Sequence, residues 1–475
     1  MYYDKLFKLM EWTVEKIESN RSRIELMLEK IDAASEADID HAVEHVTSNF
    51  DFSIPGVPTL VGVLVEDFID SIHARLDHKY VIAVNYPILP SVTLGLNYAQ
   101  KRTNADIYIF ASTLNSINVL GNIFDKYTRV LEVGELVGQA AGRAHCAQYQ
   151  AEAGLFELGI LPVPDQVIVS GWFCDQAAEA DEMLSRIFGF EPLYLEGVMD
   201  WTWEENLDER IVHYDANSIK RVFNRIEELT GLVANAEDTN KGWQYFGTLA
   251  NATVNLLDMN AKASRQIFSH ADISLVYWSM FVAADLKHEE KVLGAVEKVI
   301  KAATERVEKG EGILPENSPK IYLGMRTICD VKNLKIIEEA GLHVTHIFMD
   351  AFTKYELMPP IIENPTPEIQ ATEFFFKRPG LSNAGNLYQY EADSMKQYNC
   401  DGAILSYLFN CRPWSLGAVM GKDYIEKTIN KPVMIMEADF YDSRLYSPEQ
   451  QKTRVESFAE VLKLNKEMEM MGFAE

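Results

Sequence analysis

Two sets of short runs rich in β-branched and aromatic residues, separated by helix-length stretches, constrain this chain more than any other feature. In the first half they are Tyr80-Val-Ile-Ala-Val84, Asp106-Ile-Tyr-Ile-Phe110, Gln166-Val-Ile-Val-Ser170 and Pro192-Leu-Tyr-Leu-Glu196. In the second half they are Lys320-Ile-Tyr-Leu-Gly324, His343-Val-Thr-His-Ile-Phe348, Gly402-Ala-Ile-Leu-Ser406 and Pro432-Val-Met-Ile-Met436. Short, near-continuous apolar runs suit strands covered on both faces, and their alternation with helices requires parallel sheets. The expected fold class is α/β, with two Rossmann-like units that each hold a parallel sheet.

The remaining chain divides around these units. Residues 1–79 form a helical N-terminal segment, with Leu26, Leu28, Ile31 and Ala34 apolar at helical spacing. Residues 80–215 make the first α/β domain. A helical layer and linker follow over 216–319, where Ile219, Val222, Ile226 and Leu229 form an apolar stripe and Gly310 to Pro319 carries the turn residues. The second α/β domain covers 320–475 and closes on a long amphipathic helix from Ser447 to Met470. Between its second and third strands, the Pro-rich stretch from Met358 to Gly380 is too long for an ordinary connection; it is a functional cover, a partner contact or a surface excursion.

With 475 residues, 47% of them hydrophobic, the chain can fill a core in each unit. Its 71 acidic against 44 basic residues give a formal charge of -27, which opposes a nucleic-acid backbone or anionic lipid as the main partner. The first ten residues read as a polar-faced helix and not as a secretion signal. The longest apolar runs, such as Ile273 to Ala284, are interrupted and fall short of the roughly 20 residues a membrane span needs. A soluble, cytoplasmic protein is expected.

Five cysteines without a CxxC pair fit neither a secreted disulfide framework nor a zinc ribbon or thioredoxin motif. Their positions are more informative. Cys174 and Cys411 each follow a strand run by four or five residues, and a helix and a final strand come next, so both halves repeat a strand, cysteine, helix, strand module. Cys329 sits at a comparable place after Ile321-Tyr-Leu-Gly324. In open parallel sheets this edge is where ligands bind, and a thiolate at a helix N-terminus is favoured by the helix dipole. Cys146, in Arg143-Ala-His-Cys-Ala-Gln-Tyr149, is expected on a helix after the Gly-rich stretch from Gly134 to Gly142. Each cysteine taken alone also has an inert reading, since burial is the commonest fate of an isolated thiol.

The cysteine contexts together resemble a known family. Asn410-Cys-Arg-Pro-Trp-Ser-Leu-Gly417, Met436-Glu-Ala-Asp-Phe-Tyr-Asp-Ser-Arg444 and Thr453-Arg-Val-Glu456 are similar to the C-terminal part of the larger, alpha-type subunits of the 2-hydroxyacyl-CoA dehydratase and benzoyl-CoA reductase family. Upstream, His145-Cys-Ala-Gln-Tyr149 and Trp172-Phe-Cys-Asp175 look like that family's first two ligand segments, and the likeness runs from about Leu131 to the C-terminus. The resemblance implies that Cys146, Cys174 and Cys411 hold a [4Fe-4S] cluster whose remaining iron is open to solvent or to the acyl-CoA carbonyl.

It further implies a heterodimer with a smaller homologous subunit and an ATP-dependent iron-sulfur activator. The activator delivers one low-potential electron, and the resulting ketyl radical of a 2-hydroxyacyl-CoA loses water. ATP hydrolysis falls to the activator, because the chain has no GxxxxGK[ST] loop. A benzoyl-CoA reductase type, a double-cubane cluster reductase and a non-catalytic scaffold subunit are the other implied readings; no catalytic residue is assigned. His145 is a substrate hydrogen-bond donor or a structural histidine. Arg412 faces a CoA phosphate or shapes its loop. Asp439, Asp442 and Arg444 contact CoA or a partner, or form a cap and a local salt bridge. Cys329 lines the pocket or packs, and Cys400 is a core residue.

Overall fold

A computed structural model describes residues 1–85, 90–142, 146–171, 174–196, 209–282, 286–324, 331–347, 366–376, 384–409, 411, 415, 417–439 and 442–472. The N-terminal segment is helical as expected: α1 (Asp4–Leu9), α2 (Val14–Ser19), α3 (Arg21–Lys30), α4 (Glu36–Asn49) and α5 (Val57–Asp77). The first sheet and its helices follow as β1 (Tyr80–Val84), α6 (Pro90–Thr103), β2 (Ile107–Phe110), α7 (Ser112–Asn118), a π turn (Val119–Ile123), α8 (Tyr127–Ala140), α9 (Ala147–Glu157), β3 (Gln166–Ser170), α10 (Asp175–Phe188) and β4 (Glu191–Leu195). The helical layer comprises α11 (Glu209–Thr230), α12 (Ala236–Lys262), α13 (His270–Val282) and α14 (Glu289–Lys309). The second unit contains β5 (Lys320–Gly324), α15 (Val331–Glu339), β6 (His343–Ile347), α16 (Pro367–Phe376), α17 (Ala384–Gln397), β7 (Gly402–Leu408), α18 (Ala418–Ile429), β8 (Val433–Ala438) and α19 (Pro448–Met470).

The two sheets are parallel, four-stranded and topologically equivalent, with strand orders β2-β1-β3-β4 and β6-β5-β7-β8. In each, the chain runs outward from the first strand to the second and then crosses back to the third, so the switch point lies between β1 and β3 and between β5 and β7. Ligands of such sheets settle at the carboxyl ends of the strands flanking that point.

The same side-chain device fixes both switch points from the opposite edge. Asp165, immediately before β3, accepts hydrogen bonds from the Val81 amide at 2.9 Å and from Arg75 at 2.7 Å, and its own amide donates to the Val81 carbonyl at 2.8 Å. Asp401, immediately before β7, accepts from the Lys320 amide at 2.7 Å and from Lys466 at 3.0 Å, and its amide donates to the Lys320 carbonyl at 2.7 Å. Each aspartate thus pins the first strand to the third where the ladder would otherwise fray.

Helices cover both sheets because the strands are apolar on both faces. β2 and β6 are buried along their whole length, and two polar side chains of β6 bond neighbouring backbone: His343 Nε2 lies 3.0 Å from the Asn260 carbonyl, and the Thr345 hydroxyl donates to the Ile321 carbonyl at 3.0 Å. α5 is buried on almost every side and enters through Gly56 at a φ of +101°, where a side chain would meet the Ala295 carbonyl at 2.2 Å. Part of the Pro-rich stretch is the helix α16, which packs on α11; the rest of it lies outside the described residues. Among the described residues, no helix is long and apolar enough to cross a membrane.

Candidate functional site

Two of the three candidate ligands occupy the same local position. Cys174 is the N-cap of α10 and Cys146 the N-cap of α9; both have extended backbone, and neither side chain caps its own helix. Cys146 therefore stands at the mouth of a helix and not within one, which corrects the sequence expectation. A cysteine is a poor capping group, so the sulfur is left to interact outward while the first-turn amides favour its anionic form.

The placement of α9 depends on glycine. A side-chain carbon on Gly134 of α8 would lie 1.6 Å from the Gln150 carbonyl of α9, and one on Gly154 of α9 would lie 2.0 Å from the Val130 carbonyl of α8. Only glycine at both positions lets the two helix backbones touch, and that close approach sets where Cys146 emerges. The Gly-rich stretch read in the sequence has this packing purpose.

Cys146 and Cys174, both half-buried, pack together on Tyr149, Ala177 and Ala180. Burial first, then the neighbouring Cys174 and Asp439, push the Cys146 thiol up to about 12, against the pull of the Tyr149 and Gln148 amides. Asp439 follows β8, so a carboxylate of the second unit is near enough to raise the Cys146 thiol of the first. Arg444 makes a second connection, lying 3.6 Å from Glu135 of α8 while its guanidinium bonds Asp442 at 2.7 Å. Asp442 also caps its short helical turn by accepting from the Arg444 amide at 3.0 Å, so these two residues have the structural roles of cap and salt bridge.

Cys411 stands at the equivalent edge of the second sheet. β7 extends two residues beyond the sequence expectation because Tyr407 and Leu408 pair with Glu437 and Ala438, which leaves Cys411 three residues past the strand. The Phe409 amide continues the ladder to the Ala438 carbonyl at 2.9 Å, and the Ser415 hydroxyl, bonded to the Leu408 carbonyl, closes the loop around Cys411. Cys411 is half-buried and, like Cys174, packs against the main core. Cys174 and Cys411 therefore follow the third strands of two sheets of the same order. Cys400 is different: it is 3% exposed, its sulfur lies 3.4 Å from the Thr345 hydroxyl, and burial raises its thiol to about 12. His145, Arg412 and Cys329 lie outside the described residues.

A buried polar group beneath the cysteine pair had no counterpart in the sequence reading. Asn85, at the end of β1, donates to Glu152 of α9 at 2.8 Å and to Asp181 of α10 at 2.7 Å, and the two carboxyls also bond each other. Each cysteine-capped helix thus carries a fully buried carboxyl about two turns in. Desolvation raises both, Glu152 to about 7, and their mutual bond requires one of them to hold a proton. In the second unit, Glu391 is buried near the end of β5 and desolvation raises it to about 8; a side chain on Gly324 would meet its oxygen at 2.9 Å. The signal for such residues is an acid on the apolar face of a helix, which is recognisable only once that face is known.

The donor chemistry fits a soft metal centre. Two thiols meet beside a carboxylate and above a pair of carboxyls that share a proton. Because burial favours the protonated thiol, bound iron would provide the positive charge that makes the thiolate form stable.

Fold and site together define a twin-unit α/β protein that presents cysteines at the ligand-binding edges of two equivalent sheets. Residues 137–462 match the family described as 2-hydroxyglutaryl-CoA dehydratase, D-component, and the chain belongs to that family. A further likeness, 31% identity over 68 residues, is to one of the benzoyl-CoA reductase subunits from Thauera aromatica; it covers 14% of this chain and 16% of that relative.

Proposed function

We propose that this chain is the iron-sulfur subunit of a 2-hydroxyacyl-CoA dehydratase, with Cys146, Cys174 and Cys411 as ligands of a [4Fe-4S] cluster. The observation that carries the reading is positional: Cys174 and Cys411 follow the third strands of sheets with identical strand order, and Cys146 joins Cys174 at a neighbouring helix mouth. When bound, the cluster would supply one-electron chemistry at low potential to a thioester carbonyl at its open iron. The chain's own residues would hold and tune it. The N-termini of α9 and α10 favour the thiolates of Cys146 and Cys174. Tyr149, Ala177 and Ala180 exclude water from them, and the carboxyl pair Glu152 and Asp181 retains a proton in the layer beneath.

The partners that go with this reading are a smaller homologous subunit, an ATP-dependent activator protein and an acyl-CoA substrate, in the cytoplasm. The likeness to a benzoyl-CoA reductase favours a second reading, in which the same electron delivery drives net reduction. Product analysis on the complex with its partner subunit and activator separates the two. Loss of water from a 2-hydroxyacyl-CoA with no net consumption of reductant is the expected result. Stoichiometric consumption of reductant with a reduced product would replace dehydratase by reductase.

A further inference from the structure

Outside the family match, α4 and the loop before α8 bring together a second group of side chains of metal-ligating type. His41 and His45 lie one turn apart on α4, their rings stacked 5.9 Å apart, and Asp125 faces them from the loop between the π turn and α8. One ligand atom from each of the three lies within 4.8 Å of the other two. We propose that His41, His45 and Asp125 bind a divalent first-row transition ion of the zinc type, with solvent completing its coordination.

Spacing, anchoring and charge each support this assignment. Two histidines at i and i+4 put both imidazoles on one helix face, the arrangement that helical zinc sites use. His45 Nε2 lies 2.8 Å from the Gly121 carbonyl and 3.2 Å from Asn49 Nδ2; in the tautomer that donates to the carbonyl, the ring is held and Nδ1 keeps a lone pair for a metal, the backbone-carbonyl anchoring typical of metal-ligating histidine. Gly121 belongs to the same π turn that precedes Asp125, so one distorted turn positions both groups. Asp125 takes a left-handed φ of +54°, an uncommon conformation for a residue other than glycine, and its carboxylate reaches His41 Nε2 at 3.0 Å.

The competing cation is Lys332 at 3.7 Å, exposed and easily displaced. Lys126, next in sequence to Asp125, is committed to Asp38 at 2.8 Å. Metal–ligand bonds of about 2.1 Å put tetrahedral ligand atoms roughly 3.4 Å apart, so the set needs only small side-chain rotations to close on an ion. Glu44 is exposed and outside the set, and the inference is of a binding site, not a hydrolytic centre.

Cobalt(II) titration of the full chain, stripped with chelator, reads this site separately from the cysteines. An imidazole and carboxylate site gives weak visible bands, whereas thiolate ligation adds intense near-ultraviolet charge transfer. Wild-type protein is expected to develop the weak bands with one more equivalent of cobalt than the His41→Ala variant, and zinc should displace them. His41→Ala and Asp125→Asn should each weaken that equivalent at least about 100-fold, the upper end of what loss of an outer-shell partner costs. Both positions are solvent-accessible, and asparagine tolerates a left-handed φ, so the folds should survive. Cobalt bands of thiolate type only, or a weak-band equivalent unchanged in both variants, would overturn the proposal.

Discussion

Desolvation governs the titratable residues near the candidate site. Glu152 and Asp181 hold protons in the folded chain at pH values where the unfolded chain has released them. The folded state therefore binds more protons from about pH 3.8 upward for Asp181 and from about pH 4.5 to about pH 7 for Glu152, and stability contributed by the pair is present below this window and lost as pH rises through it. Asp181→Asn keeps a hydrogen-bonding group but removes one titration. Denaturation measured across this window should show the stability difference between variant and wild type moving in the variant's favour as pH rises. Parallel curves would contradict the shared-proton assignment. The same burial argument explains Cys400, whose thiol is a core group bonded to Thr345; Cys400→Ser should cost about 1–3 kcal/mol in denaturant unfolding, the scale for a buried hydroxyl with incomplete bonding.

At the scale of elements, the cysteine-bearing helices are placed by backbone contact, and Gly134 and Gly154 are the residues that permit it. Gly134→Ala should force α8 and α9 apart, at a cost of about 1–3 kcal/mol or more, and should displace Cys146 from Cys174. Chemical cross-linking with a short bis-maleimide reagent, which forms a carbon–sulfur bond with each thiol, reads that displacement: the wild-type pair should link more efficiently than the variant pair. Equal linking at unchanged stability would show that the contact relaxes freely. Helix and strand identities were legible because periods of 3.6 and 2 are local properties of sequence. The ends were less so, since the extra residues of β7 exist only through pairing with β8, and Cys146 moved from the body of a helix to its mouth. The Asp165 and Asp401 clamps and the bonds from Asn85 to Glu152 and Asp181 join residues 65 to 96 positions apart and leave no local mark.

For the whole molecule, the two units are variations on one design: the same strand order, the same aspartate before the third strand, and a cysteine beyond that strand's end. The family match begins at residue 137, yet β1 and β2 of the first sheet lie before it, so the residues ahead of the match complete the unit that holds Cys174 and also carry the His41, His45 and Asp125 group. The claim that the two units share one metal centre is tested most directly by iron analysis after anaerobic reconstitution, on wild type and on Cys174→Ser, Cys411→Ser and Cys400→Ser. The account predicts about four irons per chain with thiolate-to-iron absorption in wild type and Cys400→Ser, and loss of both in the other two variants, because a serine hydroxyl is a poor substitute for a soft thiolate. Full iron content in both Cys174→Ser and Cys411→Ser, or a wild-type chain that takes up no iron, would contradict it.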